Sequence, residues 1–567
     1  CPCLLYEPLD SGNRKFGHPH HQKAANFCLT ILKKILIMAK DKNKPGQNSA
    51  VQHEKLIDSS KVHFREYQQR IAEKVLEKGN SLVVLPTGLG KTIIALIVIE
   101  HYLREGKRVL FMAPTRPLAE QHHETMRSLL RIPPESIVLL TGSTPAEKRK
   151  EMWRNASIVA ATPQTIEKDA RAGRLDVGAF SLVVVDECHR SVKKYSYTYI
   201  ADECRRLGVR MLGLTASPGG KRERIEAITK ALGITHIEIR TERDADVAPY
   251  VKEMKTSWIE VELPREMREA KEELEAVISE HLAALKKMGL INTTNPRVPK
   301  RVLIEIGKRI QKRPDHITKF IALSRHATVM NLCLAHEYLE TQGVYTFLRF
   351  FEKMEQMEKK SKAVKRILAD KRIQAVLARM RALDWEHPKL AKLVEVIKER
   401  RGKTVMIFVQ YRDQVKRIVE ELVRHGIQAR QFVGKREGVT QKEQRETIEA
   451  FRRGEFEVLV ASSIGEEGLD IPAVDSVIFY EPIPSEIRAI QRRGRAGRAK
   501  AGEVVVLITK GTRDEAYYWI EKKREQAMRS IVKGMQGELG EAAQGREQAH
   551  ESETPPKRGQ LKMTDYF

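Results

Sequence analysis

The stretch Ser81-Leu-Val-Val-Leu85, Pro86-Thr87-Gly88-Leu89-Gly90-Lys91-Thr92, Ile93-Ile-Ala-Leu-Ile-Val-Ile-Glu100 reads as a short apolar strand, a glycine-punctuated turn and a helix in direct succession. That order builds a phosphate cradle. Gly88 and Gly90 let backbone N–H groups close on an anion without Cβ interference, and the helix N-terminus adds positive potential. Lys91 supplies a full charge for the β- and γ-phosphates, and Thr92 offers a hydroxyl to Mg2+. The general pattern Gly-x4-Gly-Lys-Ser/Thr calls for glycine where Leu85 stands, whereas the form Pro-Thr-Gly-x-Gly-Lys-Thr does not. The competing reading is an ordinary βα turn that carries Gly-Lys-Thr by chance. Two motifs further along the chain weigh against it.

Val183-Val-Val-Asp186-Glu187-Cys188-His189 is a second apolar strand, and it ends in paired carboxylates. Asp186 is the candidate Mg2+ ligand, largely through water, and Glu187 the candidate to position or deprotonate an attacking water. Alone, such a pair is more often a turn or a helix cap. With the cradle before it and Thr215-Ala-Ser217 after it, the catalytic reading leads. Near the end, Gln491-Arg492-Arg493-Gly494-Arg495-Ala496-Gly497-Arg498 spaces guanidinium groups so that Arg495 and Arg498 can reach a γ-phosphate across a cleft. A plain basic patch for nucleic acid is the alternative.

Charge narrows the partners. The 567-residue chain has 101 Lys and Arg against 75 Asp and Glu, a net +26, which suits a polyanion such as nucleic acid. An anionic membrane surface is the competitor, but no apolar run approaches the roughly 18 residues that a bilayer span needs, so no membrane partner is expected. Cys1, Cys3, Cys28, Cys188, Cys204 and Cys333 form no Cys-x2-Cys pair, which argues against a zinc ribbon or disulfide framework and for a reducing cytoplasm. His18-Pro-His20-His21 has no nearby carboxylate or thiolate to complete a ligand set and reads as a solvated tail. Residues 1 to 37 show no clear period, and a native start at Met38 is the expectation.

Strand runs alternate with helical periods from residue 62 to about 245, at Leu82 to Leu85, Val109 to Met112, Ile137 to Leu140, Ile158 to Ala161, Leu182 to Val185, Met211 to Leu214 and Ile237 to Ile239. A second set occupies Val405 to Val409, Ala429 to Phe432, Val458 to Ala461, Ser476 to Tyr480 and Glu503 to Ile508. Such alternation specifies parallel sheets covered by helices. Between the sets, strand signals nearly vanish and long charged helical periods take over. The expected organisation is therefore an N-terminal extension over 1–60, an α/β domain over 61–250, an all-helical insert over 251–400, a second α/β domain over 401–533 and a flexible tail over 534–567, where few apolar residues remain. Within the insert, Arg297, Lys300, Arg301, Lys308, Arg309, Lys312 and Arg313 concentrate charge in one segment, read as phosphate contact against the blander solvated face.

With these pieces in order, the chain resembles a superfamily 2 helicase with two tandem RecA-like domains. Phe64-Arg65-Glu66-Tyr67-Gln68 is similar to the adenine-reading Q motif, which implies Gln68 as the source of a preference for ATP. Ala113-Pro-Thr115-Arg116, Thr141-Gly142 and Ala161-Thr162 resemble the motifs that hold the nucleic-acid backbone, and Thr215-Ala-Ser217 resembles the one that couples hydrolysis to movement. In the second α/β unit, Phe408-Val-Gln410-Tyr411-Arg412, Thr440-Gln441 and Ser462-Ser-Ile-Gly465-Glu-Glu-Gly468-Leu-Asp470 resemble further motifs of that family. The resemblance implies nucleic-acid contacts at Thr115, Arg116, Thr141, Gly142, Thr162, Arg412, Gln441 and Ser462, and nucleotide contacts at Gly468 and Asp470.

The wording Asp-Glu-Cys-His, Tyr-Glu-Pro-Ile-Pro-Ser and Gln-Arg-Arg-Gly-Arg-Ala-Gly-Arg, with the helical insert, is similar to the archaeal Hef helicases and their Fanconi-type relatives. This implies an ATP- and Mg2+-dependent DNA helicase of a repair system that remodels replication forks and Holliday junctions, moving 3′ to 5′ in an archaeal-type cytoplasm beside the nucleoid. An RNA helicase or RNA-sensing ATPase of the related RIG-I-like group is the alternative, and a junction-binding scaffold tethered to a clamp is a second. The nuclease motif Glu-Arg-Lys-x3-Asp and the helix-hairpin-helix module usual in Hef do not occur here, so cleavage is expected from a separate nuclease if at all. Finally, Gln560-Leu-Lys-Met563-Thr-Asp-Tyr566-Phe567 fits the box that docks on the sliding clamp PCNA, with Met563, Tyr566 and Phe567 as an apolar plug and Gln560 in a polar pocket.

Overall fold

The computed structural model describes residues 55–192, 196–251, 255–434, 439–462, 472, 474–482 and 502–552, with side chains described except at 441, 521 and 540–552. Met38 and the histidine and cysteine positions before it lie outside the described residues.

Seven short apolar runs make the first sheet: β1 (Ser81–Val84), β2 (Val109–Met112), β3 (Ile137–Leu140), β4 (Ile158–Ala161), β5 (Leu182–Val185), β6 (Arg210–Thr215) and β7 (His236–Ile239). They pair in parallel in the order β3-β4-β2-β5-β6-β1-β7. Every residue of β1, β2, β4 and β5 is buried, because crossover helices cover both faces. Those helices are α1 (Glu66–Lys78), α2 (Lys91–Arg104), α3 (Arg116–Leu129), α4 (Ala146–Asn155), α5 (Pro163–Arg171), α6 (Ser196–Arg206) and α7 (Arg222–Leu232).

Strand β8 (Lys255–Val261) comes next, and it does not belong with the helices that follow it. It pairs in parallel with β13 (Glu503–Thr509) along all seven residues, at the edge of a second sheet ordered β10-β11-β9-β12-β13-β8. The other members are β9 (Val405–Phe408), β10 (Ala429–Phe432), β11 (Val458–Ala461) and β12 (Ser476–Phe479). The sequence pattern places 255–261 in the helical insert. Lys255-Thr-Ser-Trp-Ile-Glu-Val261 carries a weak strand signal because most of it faces solvent, as an edge strand can.

The insert proper is a bundle of α8 (Arg265–Lys287), α9 (Lys300–Gln311), α10 (Ile317–Thr341), α11 (Val344–Glu355), α12 (Lys362–Ala369) and α13 (Lys371–Arg381), with its own core around Leu274, Ile278, Leu332, Phe347 and Phe351. The next helix, α14 (Pro388–Lys398), packs Leu390, Leu393 and Ile397 onto the second sheet instead. The second α/β layer therefore resumes earlier than the expected boundary at 400. Helices α15 (Arg412–Arg424) and α16 (Gln441–Arg452) complete the cover seen on that sheet.

The last helix, α17 (Arg513–Ser552), differs most from the sequence expectation of a flexible tail from Gly534. It leaves β13 and lays Met528, Val532 and Met535 into the core of the first α/β domain, all nearly inaccessible to solvent. Their spacing of four and three residues is one helical stripe, continued by Leu539. Each such burial contributes about 2 kcal/mol. Arg222 adds bonds of 3.0 and 2.6 Å to the Glu538 carboxylate, and the helix runs on through Gly534 and Gly537. Among the described residues no helix is long and apolar enough to cross a membrane.

Candidate functional site: a nucleotide cleft and a nucleic-acid track

Parallel topology sends every strand of a sheet in one direction, so the loops after the strands share one rim. In the first sheet that rim collects the phosphate loop after β1, Thr115 and Arg116 after β2, Thr141 and Gly142 after β3, Thr162 after β4, Asp186 and Glu187 after β5, and Ser217 after β6. In the second it collects Arg412 after β9, Gln441 after β10 and Ser462 after β11. The fold thus gathers two sets of motifs that are dispersed in sequence.

The phosphate loop is built as its glycines require. Gly88 and Gly90 have φ of 85° and 82°, and Gly90 caps α2 in the left-handed region. A Cβ on Gly90 would strike the Gln68 amide. Gln68 is buried: its Nε2 donates to the Leu89 carbonyl at 3.1 Å, and its Oε1 accepts from the Arg65 amide at 3.1 Å. The Tyr67 hydroxyl donates to the same carbonyl at 2.6 Å. Lys91 turns back on the loop, its Nζ donating to the Leu85 carbonyl at 2.9 Å. Thr87 Oγ1 is buried without a hydrogen-bond partner, which fits a loop whose polar groups await an anion.

Asp186 is buried, with Oδ2 2.8 Å from Nε2 of His122 on α3. Burial pushes its pKa up, but the His122 hydrogen bond and the positive potential of His122 and Lys91 outweigh this and hold it below the ordinary carboxylate value. Glu187 has φ of 48°, the only non-glycine with positive φ among the described residues. That conformation costs about 1–2 kcal/mol. Its Oε2 lies 3.1 Å from Nδ1 of His189. The same nitrogen is 3.2 Å from Thr215 Oγ1, which accepts from the Ser217 amide at 3.1 Å. Ser217 Oγ then donates to Met528 Sδ of α17 at 2.9 Å. A chain of hydrogen bonds therefore links His189, beside the Glu187 carboxylate, to the helix that arrives from the other domain.

Along the track, Thr141 and Thr162 are buried and bonded locally, to Ser143 Oγ and Thr165 Oγ1, each at 2.9 Å. Arg116 pairs with Glu120 at 2.7 Å, and Arg445 on α16 reaches the same carboxylate at 2.8 Å, joining the two domains. Gln441 opens α16 behind a Thr440 capping box. Thr115 Oγ1 and Ser462 Oγ are buried without partners. Gly468, Asp470, Gln491, Arg495, Arg498, Gln560, Met563, Tyr566 and Phe567 lie outside the described residues.

Sequence reasoning missed His122. It occupies the buried stripe of α3 with Ala119 and Met126, and a polar residue on such a stripe was the available signal. It also missed Tyr250, whose ring lies 5.6 Å from Tyr67 and 5.2 Å from the Arg65 guanidinium, beside the Gln68 clamp.

Comparison with known proteins agrees with this architecture. A DEAD/DEAH box helicase model matches residues 65–225, a helicase conserved C-terminal domain model matches 388–500, and one described as "Putative ATP-dependent RNA helicase, helical bundle" matches 266–385. The Hef helicase domain of Pyrococcus furiosus is 42% identical with a TM-score of 0.65, over 82% of this chain and 99% of that one. The chain belongs to the Hef and FANCM-type helicases. Among curated relatives of this helicase, a "Putative ATP-dependent RNA helicase" of Methanocaldococcus jannaschii is 41% identical over 494 residues, 85% of this chain and 62% of its own length. The ATP-dependent DNA helicase fml1 of Schizosaccharomyces pombe is 31% identical over 511 residues, 83% of this chain and 60% of its own. This helicase chain thus spans about three fifths of these relatives.

Proposed function

We propose that this helicase hydrolyses ATP to move on DNA and remodel branched structures in repair. One observation carries the reading: the Gly88–Lys91 loop, the Asp186–Glu187 pair and the loops of Thr115, Thr141 and Thr162 share the rim of the first sheet, and Arg412, Gln441 and Ser462 share the rim of the second. Lys91 binds the β- and γ-phosphates after leaving the Leu85 carbonyl. Thr92 and Asp186 are the residues to hold Mg2+, which would neutralise phosphate charge, and the depressed pKa of Asp186 suits that work. Glu187 orients the attacking water. Arg495 and Arg498 stabilise developing charge from the second domain. Gln68 selects adenine on release from Leu89.

Motion follows from closing and opening the two domains while Thr115, Arg116, Thr141, Gly142 and Thr162 on one side and Arg412, Gln441 and Ser462 on the other alternate their hold on backbone phosphates. The expected polarity is 3′ to 5′. The box at Gln560, Met563, Tyr566 and Phe567 tethers the enzyme to the sliding clamp, with a nuclease as a further partner on the same DNA, in an archaeal-type cytoplasm.

The names of relatives divide between DNA and RNA, so RNA is the second reading. ATPase rates with forked DNA and with duplex RNA at fixed salt separate the two. Stronger stimulation by the fork supports the proposal, and stronger stimulation by RNA overturns its substrate. A Lys91→Ala protein that still opens forks would instead reveal a passive junction binder.

A further inference from the structure

The helix pair α9 and α10 ends in a tip that combines exposed apolar residues with clustered cations. The two helices run antiparallel, held where His326 Nε2 lies 2.7 Å from the Leu303 carbonyl and where Gly307 meets the His326 ring. Residues 308–313 and 317–321 therefore share the hairpin's closed end. From Ser324 and Arg325 onward α10 is engaged by other helices of the insert, through Arg366 and His281. The opening turns of α10, up to Ile321, precede its first buried position, Ala322.

Those turns expose Ile317, Phe320 and Ile321, at 68%, 56% and 43% of full exposure. Spaced i, i+3 and i+4, they lie on one helical face, with Cβ atoms about 5–6 Å apart. Single exposed apolar residues are ordinary, but three on one face of a helix form a patch that water disfavours. Around it stand cations: Lys308, Arg309, Lys312 and Arg313, with Lys300 further along α9, make no ion pair among the described residues, whereas Arg301 pairs with Glu305 and Asp315 is taken up by Lys319 at 2.7 Å. A second copy docking here would bring like charges together. The surroundings call for an anion, and the tip calls for an apolar surface within it.

Branched DNA presents both. We propose that this tip is a strand-separating wedge: Ile317, Phe320 and Ile321 enter the branch point of forked DNA and cover the face of its last base pair, while Lys308, Arg309, Lys312 and Arg313 hold the phosphates of the duplex arm. The inference rests on the proposed action on branched DNA and adds the element that opens it. Apolar side chains that insert at a base step offset part of the loss of stacking, and the flanking phosphate contacts supply affinity without sequence preference.

The test uses the full chain and a synthetic fork with 2-aminopurine at the branch point. The triple variant Ile317→Ser, Phe320→Ser, Ile321→Ser is compared with Lys308→Ala, Arg309→Ala, Lys312→Ala, Arg313→Ala. The wild-type protein should raise 2-aminopurine fluorescence on binding without ATP. The triple variant should lose that rise, with fork opening per ATP hydrolysed down about tenfold and the salt dependence of binding retained. The cation variant should instead lose about three to four units of the slope of log affinity against log salt. Equal fluorescence and equal opening per ATP for the triple variant and wild type would overturn the wedge while leaving the motor intact. A wild-type protein that neither hydrolyses ATP with forks nor opens them would overturn the functional reading itself, and the wedge with it.

Discussion

Nε2 of His122 and Oδ2 of Asp186 lie 2.8 Å apart in the first domain, joining the helix that opens at Arg116 to the buried carboxylate at the end of β5. This contact gives His122 a positioning role: it fixes the orientation of the buried Asp186 carboxylate, the proposed Mg2+ ligand.

His122→Ala should therefore lower kcat about tenfold or more, since removing a partner that orients a metal ligand has effects of that size. Stability should fall by about 1–3 kcal/mol because the carboxylate is left short of a hydrogen bond. ATPase kinetics over a Mg2+ series, alongside a denaturant melt, check both. A folded variant with unchanged kcat at every Mg2+ level would remove His122 from the site.

Gly90 and Gln68 form a second coupled pair. Gly90→Ala meets both a left-handed backbone and the Gln68 amide, and nucleotide affinity should fall by about tenfold or more. Adding Gln68→Ala removes the collision but not the backbone strain, so the double variant should recover only part of the loss. Titration with a fluorescent ATP analogue measures it. Full recovery would mean that φ at residue 90 is immaterial.

Asp169 anchors an ion cluster behind the track. Arg149 binds it through Nε at 2.6 Å and Nη2 at 2.7 Å, joined by Trp153 Nε1 and Arg174 Nε, each at 2.9 Å. Burial raises its pKa, yet these donors outweigh burial and bring it from 3.8 to about 2. A depressed folded value contributes stability that is present above the unfolded pKa and lost as pH falls toward the folded one. The shift corresponds to about 2 kcal/mol, present at neutral pH and lost between pH 3.8 and about 2. Asp169→Asn should destabilise at neutral pH by about 3–5 kcal/mol, and its deficit should shrink as pH falls toward about 3. Guanidinium melts across that range decide the matter, and a constant deficit would contradict the assignment.

Met528 marks where α17 crosses back to the first domain. Met528→Glu with Val532→Glu would place charges in that apolar core, and hydrogen exchange in 528–539 should rise toward that of an unprotected helix. Because Ser217 Oγ bonds to Met528 Sδ, DNA stimulation of the ATPase should weaken as well. Unchanged exchange would show that the helix does not dock there in solution.

Local sequence determined much of this protein. Short runs of Val, Ile and Leu bounded by turn residues suit a sheet covered on both faces, and Gly88 and Gly90 suit a turn with positive φ, so strands and phosphate loop were legible before any tertiary contact was known. Packing decided the rest. Lys255–Val261 became a strand because β13 offered it an open edge, Met528 to Leu539 stayed helical because the first domain supplied a surface for their stripe, and His122 met Asp186 across 64 residues. Periodicity reports what a segment can bury; which surface it buries against depends on long-range contacts that no local pattern encodes.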